Sequence, residues 1–190
     1  MQVFKWGILL CLLSQPGISE AKRLALVIGN QEYKHFDPLK NPINDTVLLK
    51  QSLENKNLQF QVMAPVKNAT RKDLIEALRN FNAQIAEGDI ALVYYSGHGL
   101  QHENDSWLVP VEADIQLDNE IPDQSISSDQ VLGYLKRAAT KIVILDACRD
   151  NSLRHKGGGK GLGRDIVQVK NTLCTRQKFI NLDEKDKLSL

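Results

Sequence analysis

The sequence predicts an α/β fold, a mostly parallel sheet held between layers of helices. Three observations predict it. The segments at residues 90–95 and 142–145 are continuous apolar runs of strand length, the pattern of strands buried on both faces. Strand-like and helix-like segments alternate β-α-β-α-β-α-β, the rhythm of parallel strands joined by right-handed crossovers. A chain of 190 residues, 42% hydrophobic and 25% charged, makes one domain with room for a sizeable core.

The elements follow in order. A first strand is read at 24–28, closed by Gly29 and Asn30. After a polar loop with Pro38 and Pro42, Asn41 or Asn44 could cap a helix reaching about Asn55, with Val47, Leu48, Leu49 and Leu53 on its apolar side. Residues 58–62 form the second strand. Thr70 opens a second helix to about Ile85, with Leu74, Ile75, Leu78 and Phe81 at helical spacing. The third strand, 90–95, ends where Gly97, His98 and Gly99 turn out of the sheet. Residues 107–111 are a short extended piece and 121–127 a loop. Ser128 or Asp129 starts a third helix through about Ala138, and the fourth strand, 142–145, stops at Asp146.

The two ends of the chain read differently. Lys5, the apolar run 6–13 and Ser19-Glu20-Ala21 form the three parts of a secretory signal peptide over residues 1–21. The mature chain would begin at Lys22 and be secreted or periplasmic. Cys11 lacks the small neighbours of a lipid-anchored cysteine. Residues 153–164 are a linker rich in glycine and lysine without the spacing of a phosphate-binding loop. Residues 165–190 are a polar, weakly periodic tail in which no strand is expected.

Net charge is +1, and leader cleavage removes one residue of each sign, so nothing favours nucleic acid or a membrane after cleavage. The histidines, His35, His98, His102 and His155, are dispersed and form no zinc site. The mature chain keeps Cys148 and Cys174. A disulfide between them would block a nucleophile; two free thiols are the favoured reading, since two cysteines make no framework.

Chemistry concentrates at two strand ends, Tyr94-Tyr95-Ser96-Gly97-His98-Gly99 and Asp146-Ala147-Cys148-Arg149-Asp150. Ligands of parallel sheets sit outside the carboxyl ends of the strands, which would bring His98 and Cys148 to one edge. A thiol needs a neighbouring imidazole or positive dipole to ionise near neutrality, and an imidazole can return a proton to a leaving amine. Together they suit nucleophilic acyl transfer. Tyr94, Tyr95 and Trp107 read as packing, and His102 as a solvated loop residue.

These segments, in this order and about fifty residues apart, resemble the paired motifs of caspase-like cysteine peptidases, in particular bacterial metacaspase-like proteins. Arg23-Leu24-Ala25-Leu26-Val27-Ile28-Gly29-Asn30 and Leu39-Lys40-Asn41-Pro42-Ile43-Asn44-Asp45 resemble the family's first strand and helix entry. The similarity covers roughly residues 22–152, the large-subunit-like catalytic part, and the tail does not look like the family's small-subunit-like part. The resemblance implies a three-layer sandwich and a cysteine endopeptidase with Cys148 as nucleophile and His98 as acid–base. It implies Gly99 and Cys148 N–H groups as oxyanion donors, and Asp45, Ser96 and Asp146 lining a pocket for Arg or Lys before the scissile bond. No cofactor is implied, and Ca²⁺ dependence, seen in some metacaspases, stays open. The alternative is a catalytically inactive or incomplete interaction module, whose sheet edge beyond the fourth strand invites self-association or a partner chain.

Overall fold

The computed structural model describes residues 20–148 and 172–173. Nearly all of the expected leader, the linker at 153–164 and the tail apart from Thr172 and Leu173 lie outside the described residues. So do Cys11, His155, Arg149 and Cys174.

The described chain forms one sheet with helices on both faces. Its strands are β1 (Arg23–Gly29), β2 (Gln61–Val62), β3 (Val66–Lys67), β4 (Ile90–His102), β5 (Asp105–Leu108), β6 (Ile126–Ser127), β7 (Thr140–Cys148) and β8 (Thr172–Leu173). Helices α1 (Pro42–Leu53), α2 (Arg71–Gln84), α3 (Ile121–Gln124) and α4 (Ser128–Tyr134) connect them. β2 and β3 both pair with one side of β1, and β1, β4, β7 and β8 follow in parallel. The expected α/β architecture is present, and its sheet is mixed because β5 and β6 add antiparallel pairs.

Alternation along β1 and β4 sorts the core into two layers. Leu26, Ile28, Val93 and Tyr95 pack on one face with Leu74, Leu78 and Phe81 of α2 and Val131 of α4. Ala25, Val27, Leu92 and Tyr94 pack on the other with Leu49 and Leu53 of α1. β1 and β4 are buried on both faces as their apolar runs predict. β7 is not: Ile142 and Ile144, on the α1 face, are only half-buried. Among the described residues, only α1 contributes a helix to that face of the core.

Helix α1 corrects one expectation. Its inward residues are Pro42, Thr46, Leu49 and Leu53, so Val47 and Leu48 point outward, 40% and 62% exposed. The reason is Gly29. A Cβ there would lie 2.7 Å from the Pro42 carbonyl oxygen and 2.8 Å from Thr46 Cγ2. The first turn of α1 therefore rests directly on the end of β1, and that contact sets the helix's rotation. Helix α2 begins as expected: Thr70 accepts from Asp73 N at 3.2 Å, and Asp73 accepts from Thr70 N at 3.0 Å. The Thr70 hydroxyl also donates to the Asp73 carboxylate at 2.6 Å, which helps hold that carboxyl below its ordinary range. Thr70→Ala should lower stability by about 1 kcal/mol, read as a shift in urea midpoint at constant slope.

Both chemistry-bearing strands run further than the sequence suggests. β4 does not turn out of the sheet at Gly97-His98-Gly99; it continues to His102 and changes partners. Through His98 it pairs with β7, and from Gly99 onward with β5. The return is a two-residue hairpin in which His102 pairs with Asp105, and Glu103 and Asn104 take φ of 48° and 65°. Two left-handed residues in a row fit the twist of a tight hairpin, but Glu-Asn is a weak signal beside Asn-Gly. His102 accordingly sits on a strand with its ring edge-on to Trp107 and its side chain 18% exposed. It is not a solvated loop residue. β7 likewise runs past Asp146 to Cys148, so Cys148 lies in register at the strand end and not in a turn beyond it. Residues 121–127, expected as a loop, hold α3 and β6.

The tail also departs from expectation. Thr172 and Leu173 form β8, paired with Lys141 and Ile142 of β7. The first residues of β7's outer edge are thus covered by the protein's own chain.

Candidate functional site

The parallel register assembles the site. Gly29 pairs with Ser96 across β1 and β4, Ser96 with Asp146, and His98 with Cys148, across β4 and β7. The backbones bearing His98 and Cys148 are therefore nearest neighbours at the carboxyl end of the sheet. The Cys148 side chain lies outside the described structure.

His98 is 2% exposed, and the loop between β1 and α1 encloses it. Its ring lies 4.5 Å from that of Tyr33, edge to face, and 5.4 Å from that of Phe36. Its Nε2 is 2.8 Å from the carbonyl oxygen of Asp37. A carbonyl only accepts, so Nε2 carries a proton, and in the neutral ring the lone pair is on Nδ1. That is the tautomer a general base needs. The His98 N–H donates to the Tyr33 hydroxyl at 2.8 Å, and the Tyr95 hydroxyl lies 2.9 Å from the His98 carbonyl oxygen.

Two residues upstream on each strand lies a second group. The Ser96 hydroxyl, on a residue 3% exposed, lies 3.5 Å from an Asp45 carboxylate oxygen. The Tyr94 hydroxyl donates to Asp146 at 3.3 Å. Asp45 reaches the sheet because α1 starts on Gly29, and both carboxylates are half-buried. The structure thus brings Asp45, Ser96 and Asp146 around the hydroxyl end of Tyr94, whose ring packs in the core as read. Burial first, then the charges of Asp146 and Asp45, raise the Tyr94 phenol far above its ordinary range. Burial and the neighbouring Tyr33 do the same for Tyr95.

That has a consequence for stability. In the unfolded chain both phenols ionise near 10.0, and in the fold they stay protonated well beyond it. Above that pH the folded state holds more protons, so its stability is intact below the unfolded value and falls as pH rises. The slope is about 1.4 kcal/mol per pH unit for each phenol. Urea titrations at pH 9 and 11 should show this loss, and Tyr94→Phe should flatten it.

Gly99, expected as an oxyanion donor, lies on β4 opposite Leu108, next to His98. His35 is 46% exposed and 3.9 Å from Asp114, a surface residue as read. Among the described residues no three His, Cys, Asp or Glu side chains gather as a metal ion would require. Three groups had no sequence signal: the Asp37 carbonyl, because every residue has one, and the rings of Tyr33 and Phe36, which lie in a loop without periodicity.

Comparison with known proteins identifies the family. The family model described as the caspase domain matches residues 22–186, beyond the expected limit near 152 and through most of the tail. The chain is 29% identical over 129 residues to the human mucosa-associated lymphoid tissue lymphoma translocation protein 1, covering 67% of this chain and 15% of that protein. It is 30% identical over 138 residues to the mouse homolog, covering 71% and 16%. The chain thus spans about a sixth of the length of these curated relatives. A crystal structure of protein GSU0716 from Geobacter sulfurreducens superposes with a TM-score of 0.51 over 67% of this chain and 50% of that one. At 22% identity it is a likeness of fold.

Proposed function

We propose that this chain, which belongs to the caspase domain family, is a cysteine endopeptidase that cuts after Arg or Lys. The observation that carries the reading is the β4–β7 register, which sets His98 beside Cys148 and Ser96 beside Asp146. The catalytic pair and the Ser96–Asp146 pair are then two steps apart on the same two strands, as a peptide with its side chain in a pocket and its carbonyl at a nucleophile requires.

The chemistry follows from the groups. Cys148 gives its thiol proton to His98 Nδ1, and the sulfur attacks the scissile carbonyl carbon. The Gly99 and Cys148 N–H groups hold the oxyanion. The C–N bond breaks as His98 passes the proton to the leaving amine. Water, deprotonated by His98, hydrolyses the thioester, and the thiol is restored. During the two steps the imidazolium keeps its Nε2–H on the Asp37 carbonyl, a charge-assisted hydrogen bond. Asp45 and Asp146, held by Ser96 and Tyr94, select a guanidinium or ammonium. We place the enzyme outside the cytoplasm, exported by the leader at residues 1–21.

The test is cleavage of fluorogenic peptides with Arg, Lys or Asp before the scissile bond, by the purified protein under reducing conditions, with and without Ca²⁺. Cleavage after Arg and Lys alone, abolished by Cys148→Ala, is the expected result. Unchanged cleavage in Cys148→Ala would end the reading. Silence on all three peptides would favour an inactive interaction module.

A further inference from the structure

We infer that Tyr33 is a positioning residue for His98, fixing both its backbone and its ring. The inference rests on the proposed role of His98 as acid–base. Tyr33 touches His98 twice, by different means. Its hydroxyl accepts the His98 N–H at 2.8 Å, and its ring meets the imidazole edge to face at 4.5 Å. Few side chains can do both, since the hydroxyl lies at the far end of a rigid ring.

The hydroxyl is itself fixed. It lies 3.1 Å from the Tyr95 hydroxyl and 3.3 Å from the Val109 carbonyl oxygen. Tyr95 in turn lies 2.8 Å from that same carbonyl and 2.9 Å from the His98 carbonyl. One consistent chain of donors runs from His98 N–H to the Tyr33 oxygen, from the Tyr33 proton to the Tyr95 oxygen, and from the Tyr95 proton to His98 or Val109. Tyr33 is 8% exposed and Tyr95 fully buried, so no water competes for these bonds along most of the network.

The loop carrying Tyr33 also carries Asp37. Lys34 N, next to Tyr33, holds it to the Val111 carbonyl at 2.9 Å, and Leu39 N closes it on the Gln31 carbonyl at 2.9 Å. Tyr33 joins that loop to β4 at His98. Anchoring there keeps the Asp37 carbonyl within reach of Nε2 and so keeps the lone pair on Nδ1. Releasing the hydroxyl leaves the His98 N–H without its acceptor, so the strand bearing the ring shifts against a loop that stays held, and Nε2 moves off the Asp37 carbonyl.

Tyr33→Phe removes one oxygen and keeps the ring. Its kcat should fall roughly tenfold to a hundredfold, the cost of an ångström-scale misplacement, with KM little changed, since the hydroxyl removed binds His98, Tyr95 and Val109. The second measurement needs no substrate. By NMR, the His98 N–H and Nε2–H of the wild-type protein should both exchange slowly with solvent, and Tyr33→Phe should speed the exchange of both. Wild-type kcat together with unaltered exchange in the variant would overturn the inference. Fast exchange in the wild type would do so too, even if the variant does not fold. Altered exchange in a protein that cleaves no peptide would leave the hold of Tyr33 on His98 standing and remove the protease reading alone.

Discussion

Asparagine in place of Asp146 should lower kcat/KM for an Arg peptide by roughly a hundredfold while the fold survives. A half-buried carboxylate facing a cationic side chain must replace the water that cation gives up. Removing one charge from such a contact costs about 2–5 kcal/mol, and about 1.4 kcal/mol is tenfold in affinity. Asparagine is the informative replacement because its amide oxygen still accepts from the Tyr94 hydroxyl, so the loss is of charge and not of a buried hydrogen bond. Asp45→Asn should act in the same direction, and Ser96 keeps an acceptor there as well. The double variant should lose less than the two single losses combined, since both carboxylates meet one ligand. Arg peptides should suffer more than Lys peptides, because a guanidinium can bond two carboxylates at once. An Asp146→Asn protein that cleaves Arg peptides at the wild-type rate would remove Asp146 from the pocket.

Alanine at Gly97 should be strongly destabilising. Its Cβ would stand 2.5 Å from the Tyr95 hydroxyl and 2.6 Å from the Tyr33 hydroxyl. Neither phenol can step aside freely. Tyr33 holds the His98 N–H, and Tyr95 lies within hydrogen-bond reach of the carbonyls of His98 and Val109. Overpacking of a filled core costs about 1–3 kcal/mol, and a buried donor left unpaired adds about 1–3 more. Thermal unfolding should shift down by about 6–12 °C for a loss near 3 kcal/mol, and the surviving folded fraction should have weakened hold on His98. Adding Tyr33→Phe and Tyr95→Phe to Gly97→Ala removes both clashing oxygens and should recover part of the loss. No recovery would mean the methyl acts through the strand and not through the phenols.

The glycine bracket of His98 was legible in the sequence; its reason was not. The sequence reads those glycines as the place where the chain turns out of the sheet. The structure shows Gly97 inside a continuous strand, kept small by two hydroxyls from Tyr33 and Tyr95. Tyr94 shows the same limit. Its place in an apolar run marks it as core, which it is, but the hydroxyl at its tip reaches Asp146, and no run of letters reports where a side chain ends. The tail shows a third limit, since a two-residue strand owes its existence to an edge already present on β7.

What the sequence by itself determined is what local patterns carry. Continuous apolar runs marked the buried strands, Thr70 and Asp73 marked a helix start, and the alternation of elements implied a parallel sheet. That sheet put the carboxyl ends of the strands carrying His98 and Cys148 on one edge. What tertiary structure decided is everything set by register and by contact across the chain. The rotation of α1 was set by its seat on Gly29, which turned Val47 and Leu48 to solvent and Asp45 toward Ser96. The extension of β4 was set by a hairpin with two left-handed residues, and the tautomer of His98 by a backbone carbonyl. The physical reason is common to all three. Periodicity records which residues avoid water, whereas hydrogen-bond partners and close approaches arise between segments distant in sequence, whose spacing encodes no distance.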